Sequence, residues 1–252
     1  MFFRFEAACG SDTGKVRINN EDNYCFNEKC LEPEGVGPLG VMFTSGRIKI
    51  GISAAVFDGL GGENFGEEAS FAAAFGFLRY IKNRRNCLCL RTKKSIEELT
   101  SYLNNSVLDK MSELHTTRMG TTMVSLHFSL LHAYFCNIGD SRAYCFRDGE
   151  LIQLSQDHVE KIHGRRKTPL TQHLGIDPEY MRIEPYITKV RLQKCDRYLL
   201  CSDGLTDMLT DVEIAEILRR NESVEESVQE LIREALEHGG RDNITVVSYK
   251  IL

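Results

Sequence analysis

Four aspartates sit in short segments whose residue types could do chemistry. They are Asp22 in Arg17-Ile18-Asn19-Asn20-Glu21-Asp22-Asn23, Asp58 in Val56-Phe57-Asp58-Gly59-Leu60-Gly61-Gly62, Asp203 in Cys201-Ser202-Asp203-Gly204 and Asp242 in Gly239-Gly240-Arg241-Asp242-Asn243. Three of the four directly follow or adjoin an apolar, strand-like run. An acidic residue where a strand ends and a glycine turn begins is well placed to point its carboxylate into a shared cleft. Several hard oxygen ligands converging from strand ends suit Mg²⁺ or Mn²⁺ better than zinc. A single Asp-Gly is an ordinary turn dipeptide, so only the set of four carries weight.

Converging carboxylates imply a definite reaction type. One cation takes about six oxygen ligands, and Mg²⁺ keeps several of them as water. Two cations roughly 3.5–4 Å apart share a carboxylate and a hydroxide, which gives a strong nucleophile at neutral pH and favours in-line displacement at phosphorus. A phosphate monoester also needs a cation on its non-attacking oxygens, and the planar fork of arginine pairs with two of them. Arg17, just before Glu21 and Asp22, is the candidate.

The elements that must position these residues come in blocks. Residues 46–58 alternate, with Ile48, Ile50, Ile52, Ala54 and Val56 on one face, which predicts a strand ending at Asp58. Gly61 and Gly62 are expected to break it, and 65–81 reads as a helix. A second helix is expected over 95–114, with a Ser95/Glu98 capping box and a buried stripe of Ile96, Leu99, Leu103, Val107, Met111 and Leu114. Strands follow at 121–128, 131–138, 142–147 and 150–154, the last two joined by an Asp148-Gly149 hairpin turn. A strand pair is expected at 182–191 and 196–202. Two helices come next, capped by Thr210/Glu213 and Ser223/Glu226, the second stopping at Gly239-Gly240, and a final strand spans 244–250. Long antiparallel meanders with helices in pairs predict two packed sheets covered by helices rather than a doubly wound parallel sheet. Neither the 27–40 loop nor the basic 159–169 loop divides the chain, so residues 1–252 are expected to form one domain.

Bulk properties exclude several classes. The 252 residues carry a formal charge of -5, against a general nucleic-acid binder. Nine cysteines are scattered without a C-x-x-C pair, and Cys136, Cys145 and Cys201 lie in apolar runs where a thiol packs as a small hydrophobe. Scattered free thiols point to a reducing compartment. No stretch approaches the roughly 20 apolar residues of a membrane span, and the start lacks a signal peptide's apolar core. The expected location is the cytoplasm.

The ordered segments resemble the metal-dependent serine/threonine protein phosphatases of type 2C. The matching pieces are Ser11-Asp12-Thr13-Gly14 with Arg17, Asn20-Glu21-Asp22-Asn23, Val56-Phe57-Asp58-Gly59 with Gly61-Gly62, and Gly66-Glu67. They continue with Gly120-Thr121-Thr122, Gly139-Asp140-Ser141-Arg142, Asp157-His158, Leu174-Gly175, Leu199-Leu200-Cys201-Ser202-Asp203-Gly204 and Arg241-Asp242-Asn243. Each is weak alone; the full series in family order is specific. The resemblance implies an α+β, four-layer αββα sandwich of two antiparallel sheets flanked by helix pairs. It also implies hydrolysis of phosphoserine and phosphothreonine by a water or hydroxide bridging two Mn²⁺ or Mg²⁺ ions. Under it Asp58 bridges both metals, the Gly59 carbonyl binds one, Asp203 and Asp242 bind the other, and Glu21 and Asp22 hold metal-bound waters. Arg17 holds the phosphate, Asp140 matches a third, weaker metal position of bacterial relatives, and Asn243 braces the site. The implied partners are phosphorylated proteins and an opposing Ser/Thr kinase.

Two departures matter. Leu60 stands where many animal members carry a histidine acid, and bacterial members carry an apolar residue there too. About eleven residues separate His158 from Leu170, a shortened flap by bacterial standards, where Lys161, Arg165, Arg166 and Lys167 could attract phosphorylated partners or form a solvated run. His158 is expected to be structural, and Ser141 and Thr121 are not expected to be nucleophiles. Two other functions remain open: a catalytically silent binding module on the same fold, and a two-metal hydrolase acting on nucleotides or nucleic acid.

Overall fold

The strand Ser53–Leu60 shows what kind of sheet this chain builds. Ala54 and Val56 face one way, Ala55 and Phe57 the other, and all four are fully buried. A strand without a solvent face has to lie between two layers. It does so in the computed structural model, which describes residues 3–32, 40–60, 65–83, 90, 92–160 and 169–252.

One sheet contains β1 (Arg4–Asp12), β3 (Met42–Arg47), β8 (Arg142–Arg147), β9 (Glu150–Gln153), β11 (Arg197–Cys201) and β12 (Ile244–Ile251), in the order β3-β1-β12-β11-β8-β9. The other contains β2 (Asp22–Cys25), β4 (Ser53–Leu60), β6 (Met123–Phe128), β7 (His132–Ile138) and β10 (Tyr186–Arg191), in the order β10-β7-β6-β4-β2, with the short β5 (Gly120–Thr121) paired to β4. Every described pairing is antiparallel. Helices α1 (Gly66–Asn83) and α2 (Lys93–Glu113) cover the second sheet; α3 (Asp203–Thr206), α4 (Asp211–Arg220) and α5 (Val224–Glu237) cover the first. This is the expected αββα sandwich.

Strand periodicity sorts side chains into three cores. Between the sheets lie Phe5, Tyr24, Phe26, Phe135, Tyr198 and Tyr249. Phe57 packs with Phe77, Leu99 and Leu103 under α1 and α2, and Leu199 packs with Ile214, Leu231 and Val246 under α4 and α5. Each fully buried side chain of this size contributes about 1.5–3 kcal/mol relative to exposure, so the three clusters together outweigh any single polar contact. Cys9, Cys25, Cys136, Cys145 and Cys201 are free and buried, packing as small hydrophobes.

Four expectations need correction. Residues 46–58 are not one strand: β3 ends at Arg47, Gly51 turns with φ +94°, and β4 starts at Ser53 in the other sheet. Alternation cannot distinguish a strand from two strands joined by a tight sheet-crossing turn. Likewise β10 and β11 do not pair; β10 lies on β7, and β11 lies between β12 and β8. The capping box of α2 starts one turn earlier, with Thr92 as cap and Ser95, not Glu98, as its partner. At α5 only half the box forms, Ser223 accepting from the Glu226 amide.

Several local signals match the expected chemistry. Asp148 and Gly149 both have positive φ, as a two-residue hairpin turn needs. The Thr210/Glu213 box is complete. After α5 the Gly240 amide donates to Ala235 and the Gly239 amide to Leu236, the paired bonds of a Schellman stop. Neither β1 nor β2 is anticipated by periodicity, because both are short of large apolar residues. Gly61, Gly62, Cys87, Cys89 and the basic cluster Lys161 to Lys167 lie outside the described residues.

Because β4 is buried on both faces, truncation on either face is expected to be costly. Val56→Ala should lower stability by about 1–3 kcal/mol and Phe57→Ala by about 3–5 kcal/mol, each read as a shift in urea midpoint at constant m-value. A strand with one solvated face would lose stability from only one of them.

Candidate metal centre

At one end of the sandwich the C-terminal ends of β1, β4 and β11 meet the N-terminal ends of β2 and β12. The registers Asp12↔Ile244, Asp22↔Asp58 and Cys201↔Val246 fix this meeting point. A cleft of about 310 Å³ opens there, lined by Arg17, Glu21, Asp58, Gly59, Leu60, Asp140, Asp203 and Asp242. Residues distant in sequence thus share one surface. Asp22 is 3% exposed and lies behind this lining, directly across from Asp58, where it accepts a hydrogen bond from the Ser202 hydroxyl at 2.6 Å. Asn243 is also buried and outside the lining.

The glycines beside Asp58 and Asp203 serve a different purpose from turns. Asp58 lies inside β4, not at its end, and Asp203 opens the short helix α3. Neither Gly59 nor Gly204 has positive φ. What they provide is close approach: a Cβ on Gly59 would fall 2.6 Å from the Glu21 carbonyl oxygen, and one on Gly204 2.9 Å from the Asn243 carbonyl carbon. Real Cβ contacts are essentially never that short, so each Asp-Gly pair marks backbone packed tightly against another segment, in a strand at Gly59 and in a helix at Gly204. Gly66, the first residue of α1, instead makes room for a side chain, since a Cβ there would lie 2.7 Å from the Glu21 Cδ.

Polar side chains lock the aspartates in place. The Asp58 amide donates to the Thr122 hydroxyl at 3.1 Å, the Thr121 hydroxyl donates to the Asp58 carbonyl at 2.9 Å, and Thr122 and Ser141 share a 2.6 Å hydroxyl contact. Thr121 and Ser141 are fully buried, with their hydroxyls engaged in these bonds. Asn243 accepts from the Glu21 amide at 2.8 Å and donates to the carbonyls of Thr13 at 2.8 Å and Asn19 at 2.9 Å. One side chain therefore pins the whole segment that carries Arg17 and Glu21. The Arg17 Nη2 donates to the Asp242 Oδ2 at 2.9 Å while the guanidinium stays 45% exposed.

Some contributors escaped the residue-by-residue reading. Arg142 and Asp157 line the cleft as a bidentate pair, with an Nη2–Oδ2 distance of 2.7 Å; both were visible only as motif pieces. Thr206 and Asp207 also line it. Asp207 follows Asp203 by one helical turn, a relation that appears only once α3 is known. His158 is structural: its amide donates to the Gly139 carbonyl at 2.9 Å and its Nδ1 accepts from the Gly139 amide at 3.2 Å. Among the described residues no histidine lines the cleft.

Negative charge is in excess in the cleft. Seven carboxylates and two arginines line the cleft. Burial, and then the charges of Asp203, Asp22, Asp140 and Asp242, hold the Asp58 carboxyl well above the usual carboxylate range. Burial pushes Asp22 up to about 7 against the pull of its Ser202 hydrogen bond. Glu21 is raised by burial, with Arg17 working the other way. Among the described residues no three His, Cys, Asp or Glu side chains stand in a ready-made cage; the carboxylates line an open cleft instead. An all-oxygen donor set under mutual repulsion fits hard divalent cations that keep part of their water shell.

The protein-family model for Protein phosphatase 2C matches residues 44–244. Among curated proteins, the serine/threonine phosphatase stp of Listeria welshimeri is 30% identical over 258 residues, covering 94% of this chain and 92% of that protein. The serine/threonine protein phosphatase PstP of Mycobacterium tuberculosis is 32% identical over 255 residues, covering 95% of this chain and 44% of that one. Among solved structures, the catalytic domain of PstP in complex with two manganese ions superposes with a TM-score of 0.77 at 29% identity, covering 99% of both chains.

The raised carboxyls make metal-free stability depend on pH. Asp22 and Asp58 hold protons in the folded protein that the unfolded chain releases near pH 4. The Asp22 contribution is therefore fully present below about pH 4 and is lost as pH rises through about 7, and the Asp58 contribution is lost in the same direction. For Asp22 alone the loss is at most about 4 kcal/mol. The melting temperature of chelator-treated protein should fall between pH 5 and 8, and Asp22→Asn should flatten that fall; a melting temperature rising over this range would contradict the assignment.

Proposed function

The chain belongs to the protein phosphatase 2C family, and from that premise we propose how its cleft carries out the family's reaction. The protein is a phosphoprotein phosphatase that hydrolyses phosphoserine and phosphothreonine with Mn²⁺ or Mg²⁺. The observation that carries the residue assignment is the convergence of Asp58, Asp140, Asp203 and Asp242 with Arg17 on one cleft from five separate segments. The whole of residues 1–252 acts as one catalytic domain in this reading.

Asp58 is assigned to both metal ions and the Gly59 carbonyl to one of them. Asp203 and Asp242 are assigned to the other, and Asp140 to a third, weaker position. When bound, the two ions supply an activated water at neutral pH and offset charge on the phosphoryl group. The protein does the rest. Glu21 borders the cleft beside Asp58 and Arg17, where it would hold water, and Asp22 stands behind that lining. Arg17, held over the cleft by Asp242, keeps donors accessible to the non-attacking phosphoryl oxygens. Asn243 keeps Arg17 and Glu21 in register with the aspartates. With Leu60 at the rim and no histidine among the described lining residues, the leaving alkoxide takes its proton from water rather than from an imidazole.

Phosphorylated proteins are the substrates, set against a Ser/Thr kinase. Among the described residues no helix is long and apolar enough to cross a membrane, and buried free cysteines fit action in the cytoplasm.

Purified protein should hydrolyse p-nitrophenyl phosphate and a phosphothreonine peptide with Mn²⁺ and lose both activities with EDTA; turnover indifferent to the chelator would sink the two-metal reading. Asp58→Ala and Asp203→Ala should each abolish turnover, whereas Leu60→Ala should change it by less than about tenfold, well below the roughly 10²–10⁴-fold that loss of a side-chain acid costs. Asn243→Ala should weaken Mn²⁺ binding by about 10–100-fold, measured by calorimetric titration.

A further inference from the structure

The segment that carries Arg17 is held at both ends. The Lys15 amide donates to the Gly240 carbonyl at 2.7 Å, the Gly14 amide to Asp12 at 2.8 Å, and the Asn20 side chain to the Ser11 hydroxyl at 2.9 Å. Asn243 holds the carbonyls of Thr13 and Asn19. On this fixed backbone the two neighbours of Arg17 are apolar and exposed, Ile18 at 97% and Val16 at 65%. Among the described residues only Val212 on α4, at 68%, is an aliphatic side chain of comparable exposure. Leaving a whole isoleucine in water costs about 1.5–3 kcal/mol relative to burial, and a pinned loop cannot fold it away. Within the cleft, Val159 and Leu170 add apolar surface, while carboxylates outnumber arginines.

Building on the phosphatase reading above, we propose that Ile18, with Val16 beside it, is a specificity-determining contact for the substrate chain. It receives an apolar side chain next to the phosphoserine or phosphothreonine and disfavours an acidic one. The occupant follows from continuity: a phosphoryl group held by Arg17 brings the flanking substrate residues onto the positions on either side of Arg17 in this chain. A pre-ordered apolar contact of this kind needs no loop ordering when substrate binds.

The test compares phosphothreonine peptides that differ only in carrying leucine or aspartate next to the phosphorylated residue, with p-nitrophenyl phosphate measured in the same samples with Mn²⁺. Wild-type protein should favour the leucine peptide by about 5–10-fold in kcat/KM, through KM. In Ile18→Asp that preference should vanish or reverse, and Ile18→Val should keep most of it. Ile18 touches no core, so folding is not at stake. Equal use of both peptides by the wild type, or a preference that survives Ile18→Asp, overturns the assignment while p-nitrophenyl phosphate turnover leaves the phosphatase reading standing. Absence of that turnover in the wild type overturns the phosphatase reading and this one with it.

Discussion

Carboxylates crowded into a partly buried cleft repel each other, and much of the molecule is arranged to hold them there despite that. Asp22 and Asp58 sit opposite each other on adjacent strands, with Asp140, Asp203 and Asp242 close enough for their charges to raise Asp58 further. Two arginines only partly compensate, one on Asp242 and one on Asp157. Such an arrangement is unfavourable for folding by itself and favourable once divalent cations bind, because binding to the folded state alone stabilises that state. The site is built at the expense of the metal-free protein, as functional sites commonly are.

Holding like charges together takes rigid backbone rather than flexible side chains. Both sheets contribute strand ends, and the aromatic core between them fixes their spacing. The hydroxyls of Thr121, Thr122 and Ser202, together with the Asn243 amide, then fasten the carboxylate-bearing segments to one another. Glycines at 59 and 204 let backbones approach where any Cβ would collide, and Gly66 leaves room for the Glu21 side chain. Rigidity here is a consequence of satisfied hydrogen bonds and close packing, not of any single strong contact.

The parts of the fold that were legible in the chain are those with local causes. The Thr210/Glu213 box, the Asp148-Gly149 turn and the buried stripe Ile96, Leu99, Leu103 and Val107 all depend on neighbours within one or two turns of chain. What failed depends on distant partners. Residues 46–58 alternate throughout, yet the chain changes sheets at Gly51, and nothing in the spacing of Ile48, Ile50 and Ile52 records that. The predicted pairing of β10 with β11 failed for the same reason, since both strands are satisfied by partners far away in sequence. The cap of α2 was misplaced by one turn because Ser95 can serve as cap or as the third residue of a box, and only the geometry at Thr92 decides.

The order of the motifs determined the family and the reaction, because the chemistry of the four aspartates and Arg17 is a property of residue type. Only the tertiary structure decided how they work together. It placed Asp22 behind the cleft and Glu21 on it, turned two apparent turn glycines into close-approach positions, and made Asn243 the brace of the Arg17 segment. It also left Ile18 in water on a segment held at both ends by Asn243. Residue type is written in the chain, but which carboxylates share a volume of space is set by strand register between sheets. That register comes from the summed packing of three cores, which no local segment encodes.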